Sequence, residues 1–545
     1  MMMMMMMEHS HVCAASALGI SLHLLVFIHG EWHLKVVPIF FGHLLAFALV
    51  HLLRLHDGGG STWTASVRVI GAYLAGLFGS MVVYRVFFHR IRHFPGPRLA
   101  AVTKLWHVWQ ARHSENYLVM RRMYEQYGEF VRTGPNEISI FRPDAVHVLD
   151  GYKNTNTRDV WYDILHPRKA LVFCRDPDEI RELRGAWSQA VSSKCLVEYS
   201  SRIIHLSDVL VECIRSYGNE PVSVNDVMSW FSFDVMGEIL FGEDFGMMVN
   251  KKAKGELIHQ RTALALIAPI NDASWIAHLG FNLFPFLGAV RGWWAAVRFC
   301  CERMERRMKT TPTKLDMASF FIHEYESPST PRSPADRHNL LMGSSISAIV
   351  AGSDTTRASL TGIWYYLCKY PAHAAKLYDE LRDLDINDVA SVPKLAALPH
   401  LNAVIKETMR LAPPAMTGSN RITGKEGIRF GGVVVPPGVK VTAPKFVLHR
   451  LPNAFQYPNE FLPERWTTRP ELILDARAYA PFSVGPHQCI GKAISHLEMR
   501  LVTSKLIKTF GVSFSPDHDK EAFWGGMKDQ VTMMPGRMFC LFGER

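Results

Sequence analysis

The sequence predicts a mainly α-helical domain with a minor β-sheet, preceded by N-terminal transmembrane segments. Three observations carry this. Helical apolar patterns dominate from about residue 178 to 320. Strand patterns are confined to a pair near 130–140 and a group near 428–442. Apolar stretches at about 12–28, 36–53 and 69–88 approach the roughly 20 residues that a membrane span requires. With 48% hydrophobic and 20% charged residues, the 545-residue chain can build a large core and is unlike a disordered one. Its net charge of +10 admits anionic lipid or an acidic protein partner, but no Lys/Arg run or zinc-finger spacing points to nucleic acid. Nine cysteines, an odd number without a Cys-x-x-Cys pair, argue against a secreted disulfide framework.

Residues 1–93 read as a membrane anchor that opens with a run of seven Met. His23, Pro38, His43 and His51 interrupt the first two apolar stretches, which admit a hairpin or interfacial helices as well as spans. Val69 to Phe88 is the strongest span, with Arg85 near its end able to snorkel. The small-residue cluster Cys13-Ala14-Ala15-Ser16-Ala17 precedes its apolar run, the reverse of a cleaved signal peptide. Arg90, Arg92, Arg98 and Lys104 crowd behind the third stretch and assign the rest of the chain to the cytosolic side. At His93-Phe94-Pro95-Gly96-Pro97-Arg98 the anchor helix should stop, because proline fixes φ and biases its predecessor towards extended structure.

Residues 94–545 read as one domain. An amphipathic helix is expected over 103–127, ending near Gly128. Phe130–Thr133 and Glu137–Ile140 flank Gly134-Pro135-Asn136 as a strand pair. A Pro/Ser-rich surface stretch, 327–334, interrupts the helical half. Strands are expected at Ile428–Val435 and Val439–Thr442, joined by Pro436-Pro437-Gly438. No internal repeat is visible.

The chemistry centres on Phe482-Ser483-Val484-Gly485-Pro486-His487-Gln488-Cys489-Ile490-Gly491. Cys489 lies on a Gly/Pro turn just ahead of an amphipathic run, where a helix N-terminus favours a thiolate. Gly485 and Gly491 let the backbone approach a flat ligand, and His487 is suited to a carboxylate at that ligand's edge. The plainer reading of one cysteine is a buried thiol. Upstream, Ala351-Gly352-Ser353-Asp354-Thr355 places glycine inside a helical run at a cost of about 1 kcal/mol, unless the run is an ordinary buried helix or ends in a cap at Ser353. Glu407 and Arg410 form an (i, i+3) pair, by itself a surface ion pair worth a few tenths of a kcal/mol. Pro413-Pro414 follows, and Leu462-Pro463-Glu464-Arg465-Trp466 begins 52 residues past Arg410.

In this order the motifs resemble those of the cytochrome P-450 family. The cysteine stretch is similar to its Phe-x-x-Gly-x-(Arg/His)-x-Cys-x-Gly haem loop, with His487 where arginine is commoner. Residues 351–355 resemble its central-helix Ala/Gly-Gly-x-Asp/Glu-Thr signature, and Pro463-Glu464-Arg465-Trp466 its Pro-Glu-Arg-Trp element. The resemblance runs from about residue 94 to the C-terminus. Phe94-Pro95-Gly96-Pro97-Arg98-Leu99-Ala100 and the stretch from Tyr127 to Glu137 are similar to filamentous-fungal members, many of which tailor secondary metabolites.

The resemblance implies the cytochrome P-450 fold and haem b, with Cys489 as the thiolate ligand of its iron and Phe482, Gly485, His487 and Gly491 around it. It implies propionate-binding arginines at Arg421, ahead of Gly431-Gly432, and at Arg184. Ile180 stands where the family's Trp/His-x-x-x-Arg helix carries its first donor, and Trp187 is an alternative neighbour. Asp354 and Thr355 are expected to relay protons to reduced oxygen in a local opening of the central helix. Glu407, Arg410 and Arg465 are expected to form a Glu–Arg–Arg network that holds the haem-facing core from behind.

The implied activity is that of a monooxygenase anchored in the endoplasmic reticulum membrane, its catalytic domain facing the cytosol. It would insert one atom of O2 into an apolar small molecule such as a terpenoid, polyketide or alkaloid. No flavin domain follows the cysteine motif, so a separate NADPH-cytochrome P-450 reductase is expected, with Lys492 and Arg500 helping to dock its acidic surface. Two other readings are a reductase-independent haem-thiolate isomerase or dehydratase, against which Asp354-Thr355 speaks, and a non-enzymatic haem sensor or carrier, which would not need that pair.

Overall fold

The computed structural model describes residues 2–56, 62–327 and 332–545. Met1 and positions 328–331 of the Pro/Ser-rich stretch lie outside the described residues. Three long helices come first: α1 (Met2–Leu22), α2 (Val36–His56) and α3 (Thr62–Val83). α1 and α3 each continue through a π-helical turn, to Phe27 and Phe88. All three are long and apolar enough to cross a membrane. The third starts earlier than hydropathy alone suggested, because Thr62–Arg68 is already helical.

The remaining chain is helical around a small sheet. Its strands are β1 (Phe130–Gly134), β2 (Glu137–Ile140), β3 (Thr157–Arg158), β4 (Arg421–Ile422) and β5 (Lys440–Thr442), in spatial order β1-β2-β5-β4-β3. β1 and β2 pair antiparallel with Phe130 opposite Ile140, as the flanking turn residues predicted. β5 joins β2 in parallel, and β4 lies antiparallel between β5 and β3, so that Arg421 stands opposite Arg158. Two expected elements divide. The helix over 103–127 becomes Leu105–Gln110 and Asn116–Tyr127, because Ser114 adopts a left-handed φ of 57°. Buried His107 bridges that break with Nε2 2.7 Å from Asn116 Oδ1. Ile428–Val435 is a hairpin, Ile428–Phe430 with Val433–Val435, turned at Gly431 (φ 59°).

The helices of this part include α4 (Pro177–Ala190), α5 (Gly255–Ile267), α6 (Ser274–Leu283), α7 (Pro334–Lys369), α8 (Pro399–Leu411) and α9 (Lys492–Thr509). The 36 residues of α7 span about 54 Å at 1.5 Å per residue and run through the core, buried on most sides from Leu340 to Leu367. Its start is fixed by Ser333, whose hydroxyl accepts from the Asp336 amide, and by Pro334 in the first turn.

Behind the core, Glu407, Arg410 and Arg465 have no exposed surface. Arg410 donates Nε and an Nη to the two Glu407 oxygens at 2.9 and 2.8 Å, and Arg465 Nε donates at 3.0 Å. The Trp466 indole and the Leu462 amide complete the carboxylate's shell at 2.9 and 3.0 Å. Isolated ions here would cost several kcal/mol each, and this set of partners offsets that cost. His449 is held beside it as a neutral ring: Nδ1 donates to Arg410 O (3.2 Å) and Nε2 accepts from the Ala480 amide (3.3 Å).

Two outcomes are expected. Glu407→Gln strips the charge partner from two buried guanidiniums and should destabilise the fold by about 3–5 kcal/mol, read as a lower urea midpoint. Burial, with Lys445, Arg410 and Arg450 nearby, holds His449 at about 3 against an ordinary 6.5. The unfolded chain therefore binds more protons between those values, so this contribution is complete above pH 6.5 and shrinks as pH falls towards 3. Urea midpoints measured from pH 7 to pH 5 should fall in the wild type and fall less in His449→Gln.

Candidate functional site

Between α7 and the loop leading into α9 lies a cavity enclosing about 1510 Å³ of space, its mouth included. Phe482, His487, Cys489 and Gly491 all line it. The loop is built by short-range bonds: the Gln488 amide donates to Gly485 O (3.1 Å) and the Cys489 amide to Phe482 O (2.8 Å). Gly485 is required by a contact within the protein itself. Its φ is 63°, and a Cβ there would lie 2.1 Å from the Asp150 carbonyl oxygen, so the loop crosses another segment of backbone at contact distance. At Gly491 a Cβ would meet only ordinary contacts, 3.6 Å from Ile494 and 3.9 Å from Cys489 Sγ.

Although the protein is dense around it, Cys489 keeps exposed surface, because its side chain borders the open cavity. Burial pushes that thiol up, and the Gly491 amide and the charges of Arg184, Lys445 and Lys492 do not cancel it. The helix start alone thus leaves a thiol. A coordinating metal ion deprotonates such a group outright.

Four cationic side chains line the same cavity: Arg158, Arg184, Arg421 and Lys445. Among the described residues, Asp150 is the only carboxylate that pairs with any of them, at 2.7 Å from Arg421 Nε. Arg158 and Arg421 are register partners, and like charges directly opposite destabilise a sheet. The Tyr162 hydroxyl accepts from Arg421 at 3.2 Å, and the Arg158 guanidinium lies 5.2 Å from that ring. Burial lowers Arg158 to about 10 and Lys445 to about 8. His487 Nδ1 has no partner among the described residues; burial and the nearby Arg421 and Arg158 hold its imidazole at about 3, hence neutral. A buried excess of positive charge beside a thiol fits a macrocycle that brings carboxylates at its edge and a metal at its centre.

The other expected site residues separate by position. Arg184 donates to the carbonyls of Pro486 (3.2 Å) and Gln488 (3.0 Å), bracing the cysteine loop as well as lining the cavity. Ile180 is buried in the core on α4, whereas Trp187 lines the cavity and packs against Phe321 at 4.7 Å. On α7, Thr355 faces the cavity with its hydroxyl donating to Ala351 O at 2.7 Å. Asp354 is not among the lining residues: it accepts from Gln260 Nε2 at 2.8 Å and sits 3.5 Å from Arg357. α7 is helical throughout this stretch, so the expected local opening is absent, and Ser353 is a buried mid-helix residue, not a cap.

Arg158, Tyr162, Gln260, Lys445 and Glu498 were not singled out from the sequence. Each is an isolated polar residue with no motif spacing around it, and the sheet register or helix packing alone brings it to the site. Glu498 lines the cavity from α9 with Oε2 lacking a partner among the described residues, and burial pushes its carboxyl well above the usual range.

Residues 95–542 match the family model described as Cytochrome P450. The chain is 33% identical to the cytochrome P450 monooxygenase FCK2 of Fusarium pseudograminearum, over 97% of this chain and 96% of that protein. It is 32% identical to the cytochrome P450 monooxygenase notG' of Aspergillus versicolor, over 96% and 94%. Against the tryprostatin B 6-hydroxylase of Aspergillus fumigatus it is 31% identical over 97% and 95%.

Proposed function

The chain belongs to the cytochrome P450 family, and from that premise we propose that it is a membrane-anchored haem-thiolate monooxygenase acting on an apolar small molecule of fungal secondary metabolism. One observation carries the reading: the Cys489 thiol shares a single cavity with a buried, under-neutralised set of cations. Cys489 would hold the iron, and Arg158, Arg184, Arg421, Lys445 and His487 would meet the carboxylates of haem b. When bound, haem supplies reductive activation of O2 and insertion of one oxygen atom, with the thiolate favouring O–O cleavage.

The chain's own groups do the rest. Leu171, Val172, Val191, Met236 and Met317 give the cavity apolar walls that select an apolar substrate and keep out water. Thr355 exchanges its bond to Ala351 O for one to a proton acceptor in the cavity, and Asp354, once released from Gln260, takes up a proton from water and passes it to Thr355. Glu407, Arg410 and Arg465 keep the loop in register and take no part in the chemistry. Lys492 and Arg500 border a groove on the outer side of the cysteine loop, with His496 between them. That groove suits the acidic surface of an NADPH-cytochrome P-450 reductase. The basic residues behind α3 support a catalytic domain facing the cytosol, on the endoplasmic reticulum membrane in this reading. A relative named as a tryprostatin B 6-hydroxylase supports hydroxylation as the reaction class.

Reduced wild-type protein with carbon monoxide should show the red-shifted Soret band of thiolate-ligated haem, and Cys489→Ala should lose it. An imidazole-type spectrum in folded wild type would overturn the assignment. Thr355→Val keeps the branched shape but removes the donor. Haem content and substrate-induced spectral shifts should survive, while product per NADPH falls and hydrogen peroxide rises, since general acid–base help is worth roughly 10²–10⁴ in rate. Wild-type coupling in that variant would remove the proton-relay role.

A further inference from the structure

The N-terminal helices carry a directional signature that hydropathy does not. α1 lies along α3 with both chains rising together. Glu8 is 3.7 Å from Arg68, and His23 Nδ1 is 2.8 Å from Ser80 Oγ. Between these, a Cβ on Gly76 would come 2.2 Å from Ser16 O and one on Gly19 2.1 Å from Tyr73 O, so the backbones touch through small residues as paired membrane helices do. α2 runs the other way along α3: His43 Nε2 is 3.0 Å from the Tyr73 hydroxyl, and His51 Nδ1 is 3.3 Å from Ser66 Oγ. These bonds satisfy polar groups between helices, while no side chain of α2 is buried by protein.

Charge marks both ends. Glu8, Arg54 and Arg68 lie at one, with His11 3.5 Å from Arg54. Lys35, Arg90 and Arg92 lie at the other, the end that joins the catalytic domain. The spans between, Glu8–Phe27, His33–His56 and Thr62–Phe88, are 20, 24 and 27 residues. At 1.5 Å per residue, about 30–40 Å, each covers a hydrocarbon core of roughly 30 Å.

The short connector after α1 does not hang free. Arg175, just ahead of α4, grips Glu31 through both carboxylate oxygens at 2.6 and 2.7 Å and Asp163 at 2.8 Å. His33 Nε2 is 2.8 Å from the same Asp163 oxygen, and its ring lies 5.8 Å from His278 on α6. Arg175 Nε also donates to the carbonyl of Arg158, one of the cavity's cations, at 3.1 Å.

We propose that α1–α3 cross the lipid bilayer three times, leaving the N-terminus on the face opposite the catalytic domain, and that the connector at 28–35 returns to that domain and is clamped to it by Glu31, Arg175, Asp163 and His33. This rests on the membrane-anchor reading above and fixes its crossing number and its contact with the domain. Two crossings or a surface-lying α1 would put the N-terminus on the catalytic side.

The test uses the full chain, tagged with one epitope at the N-terminus and another at the C-terminus, in sealed microsomes treated with protease from the cytosolic side. The C-terminal epitope should be lost and the N-terminal one protected until detergent is added. An N-terminal epitope digested without detergent, on a chain that resists alkaline extraction, overturns the crossing number alone. Release by alkaline extraction overturns the anchor reading and this proposal with it. For the clamp, hydrogen exchange is followed on peptides covering 28–35 in the reconstituted full chain. Glu31→Ala removes charge-assisted hydrogen bonds at a residue that does not line the cavity and should speed that exchange about tenfold or more. Unchanged exchange would show that the connector is not clamped.

Discussion

A carboxylate with no solvent contact, Glu407, is where the architecture of the cysteine loop begins. Placing one anion and two guanidiniums in the interior is costly, and it is sustained only because almost every donor and acceptor in the set is used. The partners that use them are backbone groups farther along the chain. Arg410 binds the carbonyls of His449, Pro458 and Glu460, and Arg465 those of Gln456 and Tyr457. That wraps residues 449–466 around α8. His449 then passes the constraint on, through its bond from the Ala480 amide, to the residues immediately before Phe482. The loop that presents Cys489 is positioned from a charge cluster it does not touch.

The cavity side of the loop obeys the opposite electrostatic logic. There the positive charge is left incompletely answered, with Arg158 and Arg421 facing each other in register and one carboxylate between four cations. A fold tolerates that arrangement where an anionic group completes it, which makes the mismatch itself a description of the ligand. The same low-dielectric setting keeps the Cys489 thiol and the Glu498 carboxyl protonated, so electrostatic work at the site waits on what binds.

The motifs legible in the sequence were those with fixed local spacing. The cysteine loop, the Glu407–Arg410 pair and the β1–β2 turn are set by neighbours within a few residues, so residue type and offset sufficed. Ser114 and Gly431 broke two predicted elements through single left-handed residues that hydrophobic periodicity does not register. Arg158 and Lys445 stayed hidden because a two-residue strand and a four-residue helix deliver them, and neither has a pattern long enough to read. Gly485 carries a second constraint that local spacing does not contain, the Asp150 backbone, a contact across more than 300 positions of chain. The division of Asp354 from Thr355 needed the helix phase and the position of Gln260, which no local pattern contains.

The Arg175 side chain joins three things that the sequence alone would assign to separate modules: the connector through Glu31, the domain surface through Asp163, and the cavity wall through the Arg158 carbonyl. Its consequence lies in inheritance. An anchor held only by its greasiness can be traded between genes by recombination at the hinge, since any apolar helix would serve. Here a foreign anchor would leave Arg175 and Asp163 without Glu31 and His33, with the mismatch one hydrogen bond from a cavity-lining residue. The two halves of this protein are therefore expected to have diverged together, and chimaeras joined at residue 94 to inherit a defect that neither parent has.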